Sequence, residues 1–233
     1  MKLAAVLFDM DGLLFDSERI YARATDQALV EIGQPSETSF GASLAGYSAA
    51  DCLSVIRTRF GPDFDMQSLD DAYEWRKGRL IGRGVPLKPG ARDLIRHVRR
   101  LRFPIGLVTG SSSSLAQQYL QEANLAKSFD VVVTRDDVRH GKPAPDSYYL
   151  AARQLDVPSF RCLAFEDSYP GLQSAVAAGM QVAYVPDLAP VPPSAVAWCW
   201  VLADLVSAIR HTENILRAAE RRAFSRFGAF LDR

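Results

Sequence analysis

The fold of this chain is decided by one short stretch near its start, Leu3-Ala-Ala-Val-Leu-Phe8-Asp9-Met10-Asp11-Gly12. An apolar run of strand length ends there in two carboxylates, one residue apart, and a glycine. Such runs are typical of strands that are buried on both faces of a parallel sheet. Ligands bind these sheets beyond the carboxyl ends of the strands, so Asp9 and Asp11 are predicted to stand at a binding site. Taken alone, the segment also fits a solvated turn, because Asp and Gly are ordinary turn residues.

The spacing of the two aspartates indicates what they can do. If the extended geometry persists, residues two apart point to the same side of the chain, so both carboxylates face one site. A pair of this kind can divide the work between a nucleophile or metal ligand and a general acid or base.

Composition argues against several classes of protein. The 233 residues carry 27 Lys+Arg and 27 Asp+Glu, so no overall field favours nucleic acid or an anionic membrane. The N-terminus has no signal-peptide pattern, and no stretch approaches the roughly 18 apolar residues of a membrane span. Cys52, Cys162 and Cys199 lack metal-ligand spacing, as is usual for thiols in a reducing compartment. We expect a cytoplasmic protein with neither nucleic acid nor membrane as a partner.

The chain divides into a helical block and an alternating block. Helical periodicity covers 17–33, 48–60 and 66–81, with Ser17 as the expected N-cap and Gly33 as the expected stop of the first helix. Helices then alternate with short apolar strands, which is typical of a parallel sheet with helices on both faces. These helices are 91–101, 112–123, 146–155 and 171–178, and the strands are 105–108, 131–134, 162–165 and 181–185.

The predicted fold is therefore α/β, with a Rossmann-like parallel-sheet core and an inserted α-helical cap. The core is expected to comprise residues 1–16 and 87–233, and the cap residues 17–86. A helical insertion beside the carboxyl edge of the sheet is well placed to act as a lid.

Hydroxyl groups and a glycine follow the second predicted strand, in Thr109-Gly110-Ser111. The glycine lets backbone N–H groups approach a ligand, and the start of the next helix favours negative charge, so the segment predicts an oxyanion pocket. Ordinary N-capping of that helix explains the same residues equally well.

A lysine and two acids follow the next two strands. Lys142 is followed by Pro143 and Pro145, which stiffen its loop, and Glu166-Asp167 offer the hard oxygen ligands that Mg²⁺ takes. Each feature alone also fits a solvated surface group. Together with Asp9 and Asp11, one Mg²⁺ and Lys142 bring the site to a net charge of about −1, which can accept a phosphate dianion. Phosphoryl transfer explains all the strand ends jointly.

These residues, in this order, resemble the four motifs of the haloacid dehalogenase-like hydrolase superfamily, with a C1-type cap. The resemblance implies that Asp9 is the nucleophile that forms an aspartyl-phosphate. It also implies that Asp11 is the general acid for the leaving alcohol and then the base for water, and that Lys142 neutralises charge on Asp9 and the phosphate. The dehalogenases themselves lack an acid at the Asp11 position, so Asp11 favours phosphate esters.

The resemblance also implies a phosphate pocket and a metal site. Thr109, with the backbone of Gly110 and Ser111, is expected to bind the phosphoryl oxygens. The expected Mg²⁺ ligands are Asp9, the backbone carbonyl of Asp11, and Asp167, with Glu166 in support.

Longer phrases, at 8–19, 138–143 and 177–187, resemble the branch that contains pseudouridine-5′-phosphatases, sugar-phosphate phosphatases and β-phosphoglucomutase. Tyr21 and Ala49 stand where β-phosphoglucomutase has a cap histidine and arginine. Without a basic group in the cap a second phosphate is poorly held, which disfavours a mutase. Tyr21 and Tyr47 are candidate substrate-binding residues, although Tyr47 also fits an ordinary surface tyrosine.

The sequence thus predicts a Mg²⁺-dependent phosphatase of a small phosphorylated metabolite, acting as a monomer or homodimer. A hexose-phosphate mutase and a non-catalytic phosphometabolite-binding protein are the alternatives. Beyond Asp204, apolar residues recur at helical spacing among arginines and predict an amphipathic helix packed on the body or on a second subunit; these residues are Leu216, Ala219, Ala223, Phe227 and Phe230. A basic helix at a membrane surface or on nucleic acid is the other interpretation of that tail.

Overall fold

Short apolar segments form a six-stranded parallel sheet. The computed structural model describes residues 2–35, 40–47, 49–189 and 191–226, without the side chains of 49, 50 and 217–226. The strands are β1 (Ala5–Phe8), β2 (Ile105–Val108), β3 (Val131–Val133), β4 (Cys162–Glu166), β5 (Gln181–Tyr184) and β6 (Trp200–Val201). Their spatial order is β3-β2-β1-β4-β5-β6, and every neighbouring pair is parallel. The predicted α/β class is confirmed, while β6, only two residues long, was not predicted.

The register of the central strand brings its neighbours' ends to one level. Phe8 pairs with Leu107 on one side and with Phe165 on the other. The Phe8 and Phe165 rings stack with centroids 5.0 Å apart, which holds β1 and β4 together at the edge of the sheet. The chain runs outward in opposite directions from β1, so this edge includes the switch point at which such sheets bind ligands.

Helices cover both faces of the sheet. The helices after β1 are α1 (Ser17–Glu31), α2 (Phe40–Ser43), α3 (Ala49–Phe60), α4 (Met66–Ile81), α5 (Ala91–Arg100), α6 (Ser113–Glu122), α7 (Asp146–Gln154), α8 (Tyr169–Ala177), α9 (Pro193–Val196) and α10 (Leu205–Arg226). Buried side chains of α5, α6 and α10 share one hydrophobic cluster, and those of α7 and α8 share another. The predicted helix and strand bounds are met to within one or two residues, except that α2 and α9 were not predicted.

Helices α1 to α4 share a further hydrophobic cluster, centred on Ala28, Leu29 and Leu69. Two linker segments join this block to the sheet, and they run side by side. Phe15 and Leu87 form an antiparallel bridge, and the Asp16 backbone N–H donates to the carbonyl oxygen of Pro86 at 2.9 Å. The chain thus enters and leaves this block through two paired linkers.

The start of α1 corrects one prediction. Asp16, and not Ser17, is the N-cap residue, and it makes no side-chain capping bond. Ser17 is the first helical residue, and its hydroxyl donates to Asp11 Oδ1 at 2.9 Å. Gly33 follows the helix end with φ +77°, as expected for a stop signal.

The C-terminal helix α10 packs on the body of the protein. Leu205, Ala208 and Ile215 are buried in the same hydrophobic cluster as α5. Phe227 and Phe230, which the sequence pattern placed on this helix, lie outside the described residues, as does position 48 at the predicted start of α3. None of the helices in the described part of the chain is long and apolar enough to cross a bilayer.

Candidate active site

The predicted site residues of the two central strands meet at the carboxyl edge of the sheet. Asp9 follows β1, Glu166 ends β4, and the pairing of Phe8 with Phe165 puts these two carboxylates side by side. Both side chains are buried, with exposed fractions of 5% for Asp9 and 0% for Glu166. Since two adjacent buried carboxylates repel each other, they require a cation.

Lys142 supplies that positive charge. Its ammonium group contacts Asp9 Oδ1, lies 2.6 Å from Glu166 Oε1 and donates to the Val108 carbonyl oxygen at 3.2 Å. All three donor positions are thus directed to oxygen atoms, which fixes the ammonium between β1, β2 and β4. The pattern of the sequence placed Lys142 near the site, and the structure shows which atoms it contacts.

The charges of this cluster change one another's protonation. Burial raises the pKa of Asp9 well above its usual range, although Lys142 opposes this effect. Burial by itself lowers the pKa of Lys142, but Asp9 and Glu166 outweigh burial and raise the pKa above its ordinary value. Lys142 therefore stays a cation beside Asp9 at neutral pH.

Glu166 is held by a residue that sequence analysis missed. The Tyr148 hydroxyl on α7 donates to Glu166 Oε1 at 2.6 Å, and Tyr148 is fully buried. On the other side, the carboxylate lies against Gly171 of α8, where a Cβ atom would collide with it. A phenol on the face of α7 that carries Ala151 and Ala152 is the signal in the sequence that identifies such a partner.

Asp167 completes an acidic cluster that fits a divalent cation. Asp9, Glu166 and Asp167 each offer an oxygen within 4.8 Å of the others. Within the described part of the chain, the buried Asp167 Oδ1 has no hydrogen-bond partner, so one hard oxygen ligand is available. Burial, followed by the charge of Asp9, raises the pKa of Asp167 well above its usual range. A dication at this position would remove that penalty.

The second aspartate faces a different set of groups. Asp11 Oδ1 accepts hydrogen bonds from Ser17 and Tyr21, both at 2.9 Å. Asp11 Oδ2 accepts from the hydroxyls of Thr109, at 3.0 Å, and Ser111, at 2.8 Å. The carboxylate therefore stands between α1 on one side and the end of β2 on the other.

The predicted phosphate pocket is satisfied by internal hydrogen bonds. The Ser111 backbone N–H donates to Thr109 Oγ1 at 2.9 Å, while both hydroxyls donate to Asp11. Gly110 is exposed, with open space where a side chain would be. Ser112 caps α6 through its hydroxyl, so capping and a polar pocket occur together in this segment.

A cavity of about 1020 Å³ opens above these groups. The sheet edge lines its floor, and helices α1 to α4 line its roof. Tyr21 and Tyr47 both line it, and Tyr47 is 52% exposed. The Tyr21 hydroxyl is bonded to Asp11 and also lies 3.1 Å from the Tyr119 hydroxyl.

The cavity corrects the prediction that the cap offers no basic group. Lys77 of α4 lines the roof, contacts Glu74 and lies over the Tyr73 ring, with Nζ 5.0 Å from the centroid. Met66, Tyr73 and Lys77 recur at helical spacing along the cavity wall. The helical periodicity of α4 places Lys77 on the same side as Met66 and Tyr73. It does not show that this side faces the cavity, so the sequence alone did not identify Lys77 as a site residue. Arg135, after β3, adds a second cation at the cavity wall.

A family profile decides the relationship of this chain. The profile of the haloacid dehalogenase-like hydrolases matches residues 3–179. The chain belongs to this family. Haloacid dehalogenase-like hydrolases of this kind act on phosphate esters, so the chain is an enzyme of phosphate-ester hydrolysis. The predicted family, fold class and enzyme class are confirmed.

Individual relatives agree with this membership. The chain is 29% identical to a phosphorylated carbohydrates phosphatase of Thermotoga maritima, over 78% of this chain and 84% of the relative. It is 33% identical to a Drosophila melanogaster protein named "probable pseudouridine-5′-phosphatase", over 80% of this chain and 83% of the relative. A crystal structure of a hydrolase of the family from Deinococcus radiodurans, with bound phosphate and sodium, superposes with a TM-score of 0.74. That structure is 27% identical and covers 92% of this chain and 96% of its own.

Proposed function

We propose that this chain is a Mg²⁺-dependent phosphatase that hydrolyses a small phosphomonoester through an aspartyl-phosphate on Asp9. The observation that carries the proposal is the position of Asp9. Its carboxylate is buried against the Lys142 ammonium, next to an unpartnered oxygen of Asp167, on the floor of a large cavity. Tight binding of a phosphometabolite would need no buried carboxylate at that point, and membership of a hydrolase family favours catalysis over binding alone.

The first half of the reaction forms a bond between Asp9 and phosphorus. A carboxylate oxygen of Asp9 attacks the phosphorus atom, and the bond from phosphorus to the leaving oxygen breaks. Lys142 compensates the negative charge gathered around Asp9. Asp11 gives a proton to the leaving oxygen from Oδ2, because Oδ1 is directed to Ser17 and Tyr21.

The second half returns Asp9 to its starting state. Asp11, now a carboxylate, accepts a proton from a water molecule that attacks phosphorus, and the bond from phosphorus to Asp9 breaks. Thr109 and Ser111, which bond to Asp11 in the free enzyme, are placed to exchange that bond for one to a phosphoryl oxygen. The phosphoryl group therefore takes donors that are already at the site, in exchange for their bonds to Asp11.

The acidic cluster accounts for the proposed metal. Asp9 and Asp167, with Glu166 adjacent, would hold Mg²⁺, together with the backbone carbonyl of Asp11. When bound, the ion supplies positive charge that offsets the carboxylates and the phosphoryl oxygens. Because Glu166 already accepts bonds from Lys142 and Tyr148, Asp167 is the residue that we expect to matter most for Mg²⁺ affinity.

The cavity supports a small polar substrate. Its volume of about 1020 Å³ is at the upper end of metabolite-sized sites, so the leaving group can be a sugar or a nucleoside. Tyr47, Lys77 and Arg135 supply an aromatic surface, a hydroxyl and two cations. The two named relatives, a phosphatase of phosphorylated carbohydrates and a pseudouridine-5′-phosphatase, point to the same substrate class.

No disulfide joins the three cysteines, which supports a cytoplasmic location.

Lys77 keeps a second candidate function open. A cation on the roof of the cavity can hold a second phosphate, which is what a hexose-phosphate mutase requires. A mutase returns the phosphoryl group to the sugar, whereas a phosphatase transfers it to water. Incubation with β-glucose 1-phosphate and a trace of the bisphosphate, followed by ³¹P NMR, separates the two, because only a mutase yields glucose 6-phosphate.

Phosphate release from a panel of sugar phosphates and nucleoside monophosphates tests the proposed function. We expect turnover with Mg²⁺, loss of turnover in EDTA and recovery on addition of Mg²⁺. The parent protein and Asp167→Asn are compared over a range of Mg²⁺ concentrations. We expect the variant to need at least about tenfold more Mg²⁺, because it lacks one charged ligand. Release of phosphate that is unaffected by EDTA would contradict the metal requirement.

A further inference from the structure

The two oxygens of Asp11 are held by separate parts of the protein. Oδ2 is bonded to Thr109 and Ser111 at the end of β2, and Oδ1 to Ser17 and Tyr21 of α1. A phosphoryl group that bonds to Thr109 and Ser111 leaves Asp11 with the bonds on Oδ1 alone. The position of this carboxylate during the reaction is then set by Ser17 and Tyr21.

The Tyr21 hydroxyl is in turn bonded to Tyr119, a residue of the hydrophobic cluster that packs on the sheet. The Tyr21 hydroxyl lies 3.1 Å from the hydroxyl of Tyr119, a fully buried residue of α6 that is 98 positions away in the chain. The Tyr119 ring packs against Phe15, with centroids 5.3 Å apart, and belongs to the hydrophobic cluster of that face of the sheet. Tyr119 therefore cannot move without disturbing the core.

The direction of the two hydrogen bonds follows from the chemistry of the groups. A phenol ordinarily ionises only near about pH 10, so both tyrosine hydroxyls carry their protons at neutral pH. A phenol has one proton, and Tyr21 uses it toward the Asp11 carboxylate. Tyr119 is then the donor in the bond between the two tyrosines, which runs from Tyr119 to Tyr21 and from Tyr21 to Asp11.

We propose that Tyr119 is a positioning residue for the general acid and base Asp11, acting through the hydroxyl of Tyr21. The two tyrosines hold Oδ1, so that Oδ2 faces the leaving oxygen after Thr109 and Ser111 have turned to the phosphoryl group. This inference rests on the proposed function of Asp11. It also changes the role of Tyr21, which the sequence predicted as a substrate-binding residue and which bonds to the acid Asp11.

A double-mutant cycle on two esters tests the inference. Tyr119→Phe, Tyr21→Phe and the double variant are compared with the parent enzyme on phenyl phosphate and on p-nitrophenyl phosphate. Phenolate needs a proton as it leaves, whereas p-nitrophenolate needs little, so a displaced acid slows the first ester more than the second. Tyr149→Phe is the matched control, since that exposed tyrosine of α7 donates only to the Ala177 carbonyl oxygen, at 3.3 Å.

The expected result is selective for the leaving group. Tyr119→Phe lowers kcat on phenyl phosphate about fivefold, the effect of one lost hydrogen bond, and kcat on p-nitrophenyl phosphate by less than about twofold. KM stays unchanged for both esters, and the double variant is no slower than Tyr21→Phe alone. Equal losses on both esters, or losses that multiply in the double variant, would overturn the inference.

Failure of the underlying function gives a different pattern. If Asp11 is not the general acid, Asp11→Asn itself slows both esters equally, whatever the tyrosine variants do. If Tyr119→Phe does not fold, as judged by its thermal melt, Tyr21→Phe carries the test, because Tyr21 is only partly buried at the cavity wall. A Tyr21→Phe variant that matches the parent enzyme on both esters overturns the inference by itself.

Discussion

The hydroxyl of Tyr148 donates a 2.6 Å hydrogen bond to Glu166 Oε1, and both side chains are fully buried. The same carboxylate oxygen receives the Lys142 ammonium at 2.6 Å, and that ammonium also lies 5.3 Å from the centroid of the Tyr148 ring. Tyr148 thus fixes the carboxylate that in turn fixes the lysine beside Asp9.

Tyr148→Phe should therefore affect both stability and turnover. It removes one bond to a buried charged group, which we expect to lower the free energy of unfolding by about 1–3 kcal/mol. It also loosens Lys142, so kcat should fall several-fold while KM stays close to the parent value. Urea unfolding and steady-state kinetics measure the two effects. A neighbour on the same helix, Tyr149, provides the control variant Tyr149→Phe, which should change neither quantity.

Asp9→Asn should retain the fold and lose turnover by several orders of magnitude. The amide is a poor nucleophile, and it contributes no charge to the acidic cluster. Circular dichroism checks the fold, and rapid-quench measurement of acid-stable phosphoprotein checks the intermediate. Measurable phosphoprotein in a verified pure Asp9→Asn sample would rule out covalent catalysis at this residue.

Asp11→Asn should separate esters by their leaving groups. The asparagine oxygen still accepts the bonds of one pair of hydroxyls, but the side-chain amide cannot transfer a proton to the leaving oxygen. We expect losses of about 10²–10⁴-fold on sugar phosphates and smaller losses on p-nitrophenyl phosphate. Parallel assays of both esters provide the comparison. Losses of equal size would mean that Asp11 serves another purpose.

Glu18 gives a dependence of stability on pH. Burial, and next the charges of Asp11 and Asp187, raise the pKa of Glu18 from an ordinary 4.5 to about 7. The folded protein therefore keeps a proton that the unfolded chain releases between about pH 4.5 and 7, so stability falls as pH rises through that window. Above about pH 7, the ionised Glu18 carboxylate lowers the free energy of unfolding by up to about 3 kcal/mol.

Glu18→Gln should remove this cost. In EDTA, the variant should be more stable than the parent protein above about pH 8, and the difference should vanish near about pH 4.5. Thermal melts across this range test the prediction, with the exposed Glu122→Gln of α6 as the matched variant. A stability difference that is the same at both ends of the range would show that Glu18 ionises normally.

The roof of the cavity should decide which esters are hydrolysed. The groups at the sheet edge handle only the phosphoryl group, so discrimination must come from elsewhere. Tyr47→Phe and Lys77→Met should change the ranking of substrates in a phosphate-ester panel and leave the rate with acetyl phosphate within about twofold of the parent rate. A ranking identical to that of the parent enzyme would mean that this surface only covers the site.

Local patterns in the sequence were sufficient to predict which chemical groups lie at the carboxyl edge of the sheet. Asp9 and Thr109 each follow a strand directly, and Glu166-Asp167 stand at the end of a third. Parallel strands bring their carboxyl ends to one edge, so these groups meet there. The residue that caps a helix was harder to predict, and α1 is the example. Ser17 fits an N-cap by its residue type, yet it is the first helical residue, and its hydroxyl donates to Asp11 across the site, a contact that the local sequence does not predict.

What the sequence by itself determined is the order of chemical groups along the edge of a parallel sheet, since the period of hydrophobicity and the residues that end each strand are local properties. The tertiary structure alone decided which groups touch. Tyr119 and Tyr21 meet across 98 residues, and Lys77 turns into the cavity because α1 and α4 pack together. Such contacts depend on how helices pack on one another and on the sheet. The residue type at one position does not predict that packing.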